Sequence, residues 1–350
     1  MSLPPEAAHN AAIFALKNGI AGEQKQYNSK YLKTNVFGLD FRNPVGIAAG
    51  FDKNAECIEG LQVQNLGFIE VGTVTPIAQS GNPKPRIFRF KNEEAIINRL
   101  GFNNKGLMLY SQRLRQWKYN SIIPKTSIIG ANIGKNKKSK NDSSDYLTCM
   151  ENVYGLCDYI TVNISSPNTP GLRKMQGKEV LEELVKDVME KRKDLAKKFS
   201  EKTPILIKIS PDENDETLAD IASICLKYKV DGVIISNTTV NKEGFNPDGF
   251  ADKKPEGGLS GKPIFERSTI VLRNFYELTK GKIPLIGVGG VSSAEDAYVK
   301  IKAGASLVQV YSGFIYNGFG LANEINEGLV KLIKKDKYKN ISEAVGAFNK

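Results

Sequence analysis

Past residue 40 the chain alternates short apolar runs with amphipathic stretches. The runs fall at 45–51, 68–75, 127–134, 159–166, 205–210, 232–239, 285–291 and 307–313. Each is β-branched or aliphatic and ends in Gly or polar residues, as strands of a parallel sheet buried on both faces should read. Helical periodicity fills the gaps at 55–66, 105–119, 146–157, 178–199, 215–227, 266–279, 294–303 and 321–335. Eight such units predict an α/β fold, a (β/α)8 TIM barrel. A doubly wound open sheet is the alternative. It would want a glycine-rich turn after the first strand, where this chain reads Ala49-Gly50-Phe51-Asp52-Lys53 and has no GxGxxG.

Several segments depart from a minimal barrel. Residues 34–43 read as a β-hairpin at the amino-terminal floor. Residues 76–104 hold two more β-like pieces, 86–90 and 95–98; residues 167–177 read as a mobile lid, and 240–263 as a long loop. Pro4 and Pro5 open a short helix that Gly19 closes. The domains expected are an amino-terminal helical extension over 1–34, on the membrane side, and a barrel over 35–350.

The strand ends carry the chemistry. After the fourth run, 161–173 concentrates serines, asparagines and prolines without His, Cys or carboxylate, so any base there is a hydroxyl. Other ends offer Lys53, Thr73, Asn132, Asn163 with Ser166 and Asn168, Lys208, and Asn237 with Thr238. Asparagine presents donors and an acceptor together, which suits a ligand edged with amides, imides or a carboxylate, such as a pyrimidine, a flavin or both. Gly289-Gly290 and Ser312 end the last two runs, where barrels bind phosphate through backbone N–H groups. Lys208 lies inside an aliphatic strand, a costly place without an anionic partner. It reads either as the cation beside a reduced flavin or as a Schiff-base lysine of an aldolase barrel.

Composition narrows the field. The net charge of +11 comes from lysines spread over the chain, and the run 135–140 has no interleaved aromatics, so no nucleic-acid partner is expected. Attraction to anionic lipid is a second use of that charge. The single histidine, His9, excludes histidine triads and His-metal sites, and four cysteines without a CxxC pair read as reduced core thiols, so no metal is expected. Neither a spanning apolar segment nor a signal peptide is expected. The apolar face of the first helix can dock on the core or lie at a membrane interface.

Taken in order, Asn-Arg-Leu-Gly-Phe-Asn-Asn at 98–104, Asn-Ile-Ser-Ser-Pro-Asn at 163–168, Ile-Ile-Ser-Asn-Thr-Thr at 234–239, Gly-Gly-Leu-Ser-Gly at 257–261 and Tyr-Ser-Gly at 311–313 resemble the dihydroorotate dehydrogenase family, in its quinone-linked class 2, over about residues 35–340. The resemblance implies a bound FMN, contacted by the loop Ala49, Gly50, Phe51, Asp52 and Lys53, by Thr73, Asn132, Asn163 and Lys208, and by Ser236, Gly261, Gly290, Tyr311 and Ser312. It implies dihydroorotate held by Lys53, by Asn98, Arg99, Leu100, Gly101 and Phe102, and by Asn163, Asn168, Asn237 and Thr238, with orotate as product. Ser166 takes the base position, where class 1 relatives carry cysteine. Thr169 and a water near Phe102 are expected to relay its proton.

The resemblance further implies a membrane quinone as oxidant, a step in de novo pyrimidine (UMP) biosynthesis, and a monomer bound peripherally to lipid on the cytoplasmic face of a bacterial-type cell membrane. Family members build a quinone tunnel from amino-terminal helices. Few residues precede Pro4, so the first of two such helices is expected to be missing or trimmed, with Met1-Ser2 an expression scar. The competing assignments are another FMN barrel, a tRNA dihydrouridine synthase, and the aldolase using Lys208.

Overall fold

The computed structural model describes residues 3–139, 143–169, 171–247 and 254–349. Parts of the expected features lie outside them: Met1 and Ser2, Lys140 of the basic run, Pro170 of the lid, and 248–253 of the loop after the sixth strand.

Helix α1 (Pro5–Lys17) comes first, followed by an antiparallel hairpin of β1 (Thr34–Val36) and β2 (Leu39–Phe41). Strands β3 (Val45–Ile47) and β4 (Phe68–Val74) begin the barrel, and β5 (Ile87–Phe90) and β6 (Ala95–Asn98) leave it. Strands β7 (Ile128–Ile133), β8 (Tyr159–Asn163), β9 (Ile205–Ile209) and β10 (Gly232–Ile235) continue it. Then β11 (Gly258–Gly261) joins the excursion, and β12 (Leu285–Val288) and β13 (Ala305–Val310) complete the circle. Eight parallel strands close in the order β3-β4-β7-β8-β9-β10-β12-β13, the (β/α)8 barrel the periodicity predicts. Around it run α2 (Ile58–Gln62), α3 (Leu107–Asn120), α4 (Ser144–Val153), α5 (Lys178–Phe199), α6 (Asp215–Tyr228), α7 (Phe265–Thr279), α8 (Ala294–Lys302), α9 (Ser312–Asn317) and α10 (Leu321–Lys335).

Strand alternation sorts the side chains. In β9, Ile205, Ile207 and Ile209 join the large cluster between sheet and helices, while Leu206 belongs to the interior cluster. The floor of that interior is plugged by the hairpin: the Phe41 ring meets Phe68 edge-on at 5.6 Å, and Val36 joins Tyr159, Ile234 and Ile286. With the floor filled by apolar groups, the space for polar chemistry lies at the opposite, carboxyl-terminal end.

Three local expectations change. The helix over 55–66 shrinks to α2, because the Asp52 carboxylate accepts the N–H groups of Asn54, Glu56 and Cys57 at 3.3, 2.9 and 2.8 Å and holds that stretch as a turn. The helix over 146–157 stops at Val153, since Gly155 turns the chain with φ of +71°. The loop over 240–263 contains β11, which pairs antiparallel with β6 to make a three-stranded sheet over the barrel mouth. The lid is seated by a 3-10 turn (Leu172–Gln176) that buries Leu172 and Met175, and by an ion pair of 2.7 Å from Arg173 to Asp212.

Helix α1 lies across the outside of this end. Leu16 is buried, and the Arg86 guanidinium pairs with Glu6 at 2.6 Å. Phe14 and Ile20 remain exposed. The contact is close because residue 60 is glycine: a Cβ there would come within 2.2 Å of the Leu16 carbonyl oxygen. Gly60→Val is therefore expected to lift α1 at a cost of about 1–3 kcal/mol. Limited proteolysis should then cut α1 several-fold faster while the barrel core stays resistant; an unchanged cleavage rate would contradict this docking.

Candidate active site

Across all eight barrel strands only two residues carry charge, Glu70 and Lys208. Glu70 is completely buried. Four neutral donors converge on it: Asn132 Nδ2 at 2.7 Å, Gln309 Nε2 at 3.0 Å, Tyr159 OH at 3.1 Å and Thr161 Oγ1 at 3.2 Å. Because Asn132 donates to this carboxyl through Nδ2, its amide nitrogen turns down and its oxygen up. That oxygen takes Thr73 Oγ1 at 2.5 Å and Asn163 Nδ2 at 3.2 Å. Asn163 in turn offers its oxygen to Ser165 Oγ at 3.0 Å, and Ser165 accepts Asn237 Nδ2 at 3.0 Å. The far end is fixed by the Thr238 N–H, which donates to Asn237 Oδ1 at 2.8 Å. The side-chain donors of this chain thus run back, link by link, toward Glu70, and the polarity of the site wall is set from both ends.

Above the network is a cavity in the barrel mouth. Its wall brings together Ser166, Asn163, Asn168, Asn237, Thr238 and Lys53. The 98–102 segment adds Asn98, Leu100, Gly101 and Phe102. Lys208, Thr73, Ser236, Gly261, Gly290 and Ser312 line it too, as do Ala49, Gly50 and Tyr311. Four expected residues stand elsewhere. Asn132 lies one layer below, under Thr73. Asp52 is the buried cap of the turn behind the wall. Phe51 packs edge-on to His9 at 5.5 Å and to Phe314 at 5.6 Å, under α1. Arg99 turns outward, donating to the Pro85 carbonyl and pairing with Glu256 at 3.6 Å.

The sequence reading missed Glu70, Gln309 and Ser260. Glu70 had a signal: a lone carboxylate at an inward position of an otherwise apolar strand. Ser260 lines the cavity from β11, with its Oγ 3.0 Å from that of Ser312. It could not be placed without knowing that β11 pairs with β6.

Two lysines differ in electrostatics. Burial pushes the Lys208 ammonium below its ordinary pKa, opposed by the charge of Glu70, and no hydrogen bond or ion pair ties its Nζ to a protein atom among the described residues. Burial likewise lowers Lys53, to about 8, partly offset by Asp52. Its Nζ donates to the Gly50 carbonyl at 2.6 Å and lies 3.4 Å from His9 Nε2 on α1. Burial and the Lys53 charge hold His9 down at about 3, so its ring is neutral.

Unmet polar atoms show what the cavity is built for. Gln309 Oε1 and Thr238 Oγ1 are buried without partners. The Gly289-Gly290 turn runs at φ of +113° and +75°, so its backbone N–H groups are bare of side chains. Together with the free Lys208 ammonium, these groups fit a planar ring with imide and carbonyl edges and an anionic tail. Among the described residues no group of three His, Cys, Asp or Glu could hold a metal ion.

A second, largely apolar cavity of about 360 Å3 lies between α1 and the barrel. Ala8, His9 and Ala12 line one side, Phe51, Ile96 and Phe314 the other. It shares Asn98, Leu100 and Tyr311 with the mouth cavity.

Comparison with known proteins agrees with this architecture. The family profile of dihydroorotate dehydrogenase matches residues 31–333. The mitochondrial dihydroorotate dehydrogenase (quinone) of Arabidopsis thaliana is 46% identical over 99% of this chain and 79% of its own length. The dihydroorotate dehydrogenase (quinone) of Parvibaculum lavamentivorans is 47% identical over 99% of this chain and 95% of its own. The crystal structure of ligand-free DHODH from Eimeria tenella superposes with a TM-score of 0.94 at 35% identity, covering 99% of this chain and all of that one.

The depressed Lys53 gives a pH signature. Its ammonium is present below about 8 and is lost as pH rises through that value, so its attraction for a carboxylate fades upward. Titration of the protein with orotate is expected to show affinity falling about tenfold per pH unit above that point, and a flat profile in Lys53→Met. A wild-type profile that stays flat up to pH 9.5 would contradict the assignment.

Proposed function

The chain belongs to the dihydroorotate dehydrogenase family, and from that premise we propose that it oxidises (S)-dihydroorotate to orotate with FMN in the barrel mouth and a membrane quinone as final oxidant, as a step of pyrimidine synthesis. The observation that carries this reading is the convergence, in one cavity, of a hydroxyl base, a ring of asparagines and two lysines, beside a bare glycine turn.

Dihydroorotate has a carboxylate and a cyclic imide. Lys53 and the side chains of Asn98, Asn168 and Asn237 supply the matching charge and amides. Lys208, Thr73, Asn163 and Ser236 are the groups for the flavin ring, and Gly261, Gly290 and Ser312 those for its phosphate. Bound FMN would supply the acceptor for the hydride leaving C6.

The chain's own task is the proton on C5. Ser166 is almost fully buried, and its Oγ accepts the Asn168 N–H at 3.3 Å. That hydrogen bond polarises the hydroxyl in the sense that favours its alkoxide. A serine is still a weak base, so the carbon acid must be acidified and the proton passed on. Lys53 and the asparagines stabilise negative charge that develops on the ring carbonyls and carboxylate. Thr169, next on the lid, has a buried Oγ1 without a partner, and is the first acceptor for the departing proton. Loss of the C5 proton and the C6 hydride leaves the C5=C6 double bond of orotate.

Reoxidation is assigned to the second cavity. Its apolar walls suit a quinone ring, and the shared residues Leu100 and Tyr311 bring that ring next to the mouth. Exposed Leu3, Phe14 and Ile20 in and beside α1 give a membrane surface something to bury, and the basic chain favours anionic lipid. No helix among the described residues is long and apolar enough to cross a membrane.

Ser166→Ala tests the chemistry. Orotate formation from L-dihydroorotate with a short-chain quinone is expected to drop about 10²–10⁴-fold, while orotate affinity changes little. Near-normal turnover in that variant would remove Ser166 as the base. Turnover of the wild type with fumarate or NAD but not with quinone would remove the quinone assignment.

A further inference from the structure

Glu70 and Lys208 stand in the same closed barrel, on β4 and β9, and are the only charged side chains its strands contribute. Both are buried. They form no ion pair with each other: all four of Glu70's hydrogen-bond donors are neutral, and Lys208 Nζ has no partner atom among the described residues. Two opposite charges thus share one low-dielectric interior while neutral amides and hydroxyls occupy the carboxylate.

Each part of this has a physical cost. A buried ammonium without a counter-charge tends to shed its proton. A buried ammonium in direct contact with a carboxylate keeps its proton but has turned at least one of its three donors away from a ligand. An anion held elsewhere in the same interior avoids both outcomes, because Coulomb attraction acts across the barrel while hydrogen bonds act only on contact. Glu70 can be that anion because Asn132, Gln309, Tyr159 and Thr161 occupy its oxygens and spare it from needing the lysine. Its own charge is held in place from three strands, β7, β8 and β13.

We propose that Glu70 is a positioning residue for Lys208: a remote counter-charge that keeps the Lys208 side chain an ammonium before any ligand arrives, with its donors unspent and directed into the barrel mouth. The ligand that profits is one whose ring carries or develops negative charge. Identifying that ligand as the flavin rests on the function proposed above; the electrostatic link between the two residues does not.

The other titratable groups facing this interior are few. Tyr159 on β8 and Tyr311 after β13 are both pushed up by burial, Tyr311 to about 12. Lys53 after β3 is at about 8. None of these is an anion at neutral pH. Asp52 after β3 is occupied by the turn N–H groups behind the wall, and Asp212 after β9 by Arg173. Among the described residues Glu70 is therefore the only negative charge carried by the barrel strands themselves.

The test is the titration of Lys208 in the flavin-free full-length protein, followed by the chemical shift of its 13C-labelled Cε and identified by the signal missing from Lys208→Met. Glu70→Gln, which keeps the size of the side chain, is expected to lower the midpoint by at least about one pH unit, a tenfold change in ionisation. Glu70→Asp, which keeps the charge, should stay near the wild type. A midpoint in Glu70→Gln that matches the wild type, or an equal shift in both variants, would overturn the proposal.

If Glu70→Gln does not fold, the double variant Glu70→Gln/Lys208→Met decides. Recovery of folding there shows that the uncompensated lysine was the fault. Failure of both variants alike shows that Glu70 serves the fold through its hydrogen bonds alone and overturns the counter-charge. Neither measurement uses flavin or dihydroorotate, so a failure of the proposed activity would be seen separately.

Discussion

A closed parallel barrel has no water inside to satisfy polar groups, so each polar side chain that enters must find its partner within. In this molecule one carboxylate meets that constraint for Asn132, Tyr159, Thr161 and Gln309 Nε2, while Lys208 Nζ and Gln309 Oε1 are left open to the mouth. Glu70 accepts from four donors, which reach it from β7, β8 and β13. The amide of Asn132 is thereby fixed, then those of Asn163 and Asn237, and with them the pattern of donors and acceptors that the mouth presents. Without an acceptor-only group at the axis, the asparagine ring would be free to flip amide by amide, and a ligand would meet a mixture of surfaces.

The same end of the barrel is built from pieces distant in sequence. The excursion strands β5, β6 and β11 form a roof, α1 lies alongside, and the lid is tied down by Arg173 and Asp212. Asn98, Leu100 and Tyr311 stand between the polar cavity and the apolar one. His9 couples the two sides directly, with its ring against Phe51 and its Nε2 near the Lys53 ammonium. Docking of α1 therefore bears on the charge state of a residue in the polar cavity, since burial of both groups is what lowers their pKa values.

Much of this was legible in the sequence. Unbroken apolar runs ending in polar residues located every barrel strand, because a strand buried on both faces leaves that signature. The strand ends located most of the cavity, because a barrel puts its free valences there. What the sequence hid was non-local. Strand β11 looks like loop because its pairing with β6 spans the chain, and Ser260 stayed hidden with it. The turn at 52–57 looks helical because a single hydrogen-bonding Asp outweighs the propensity of the residues after it. Arg99 sits between Asn98 and Leu100, which both face the cavity, and only the local backbone decides that it turns outward. Glu70 was readable as an inward carboxylate, yet its four partners come from strands far apart, and no spacing rule connects them.

The central claim is that this cavity holds a flavin and passes it a hydride from dihydroorotate. The visible spectrum of the purified protein, taken under anaerobic conditions before and after addition of L-dihydroorotate, tests that claim most directly. Loss of the flavin absorbance on mixing, with orotate formed in equal amount, is the predicted result. A colourless protein that does not take up FMN, or a yellow one whose spectrum is unchanged by the substrate, would contradict it.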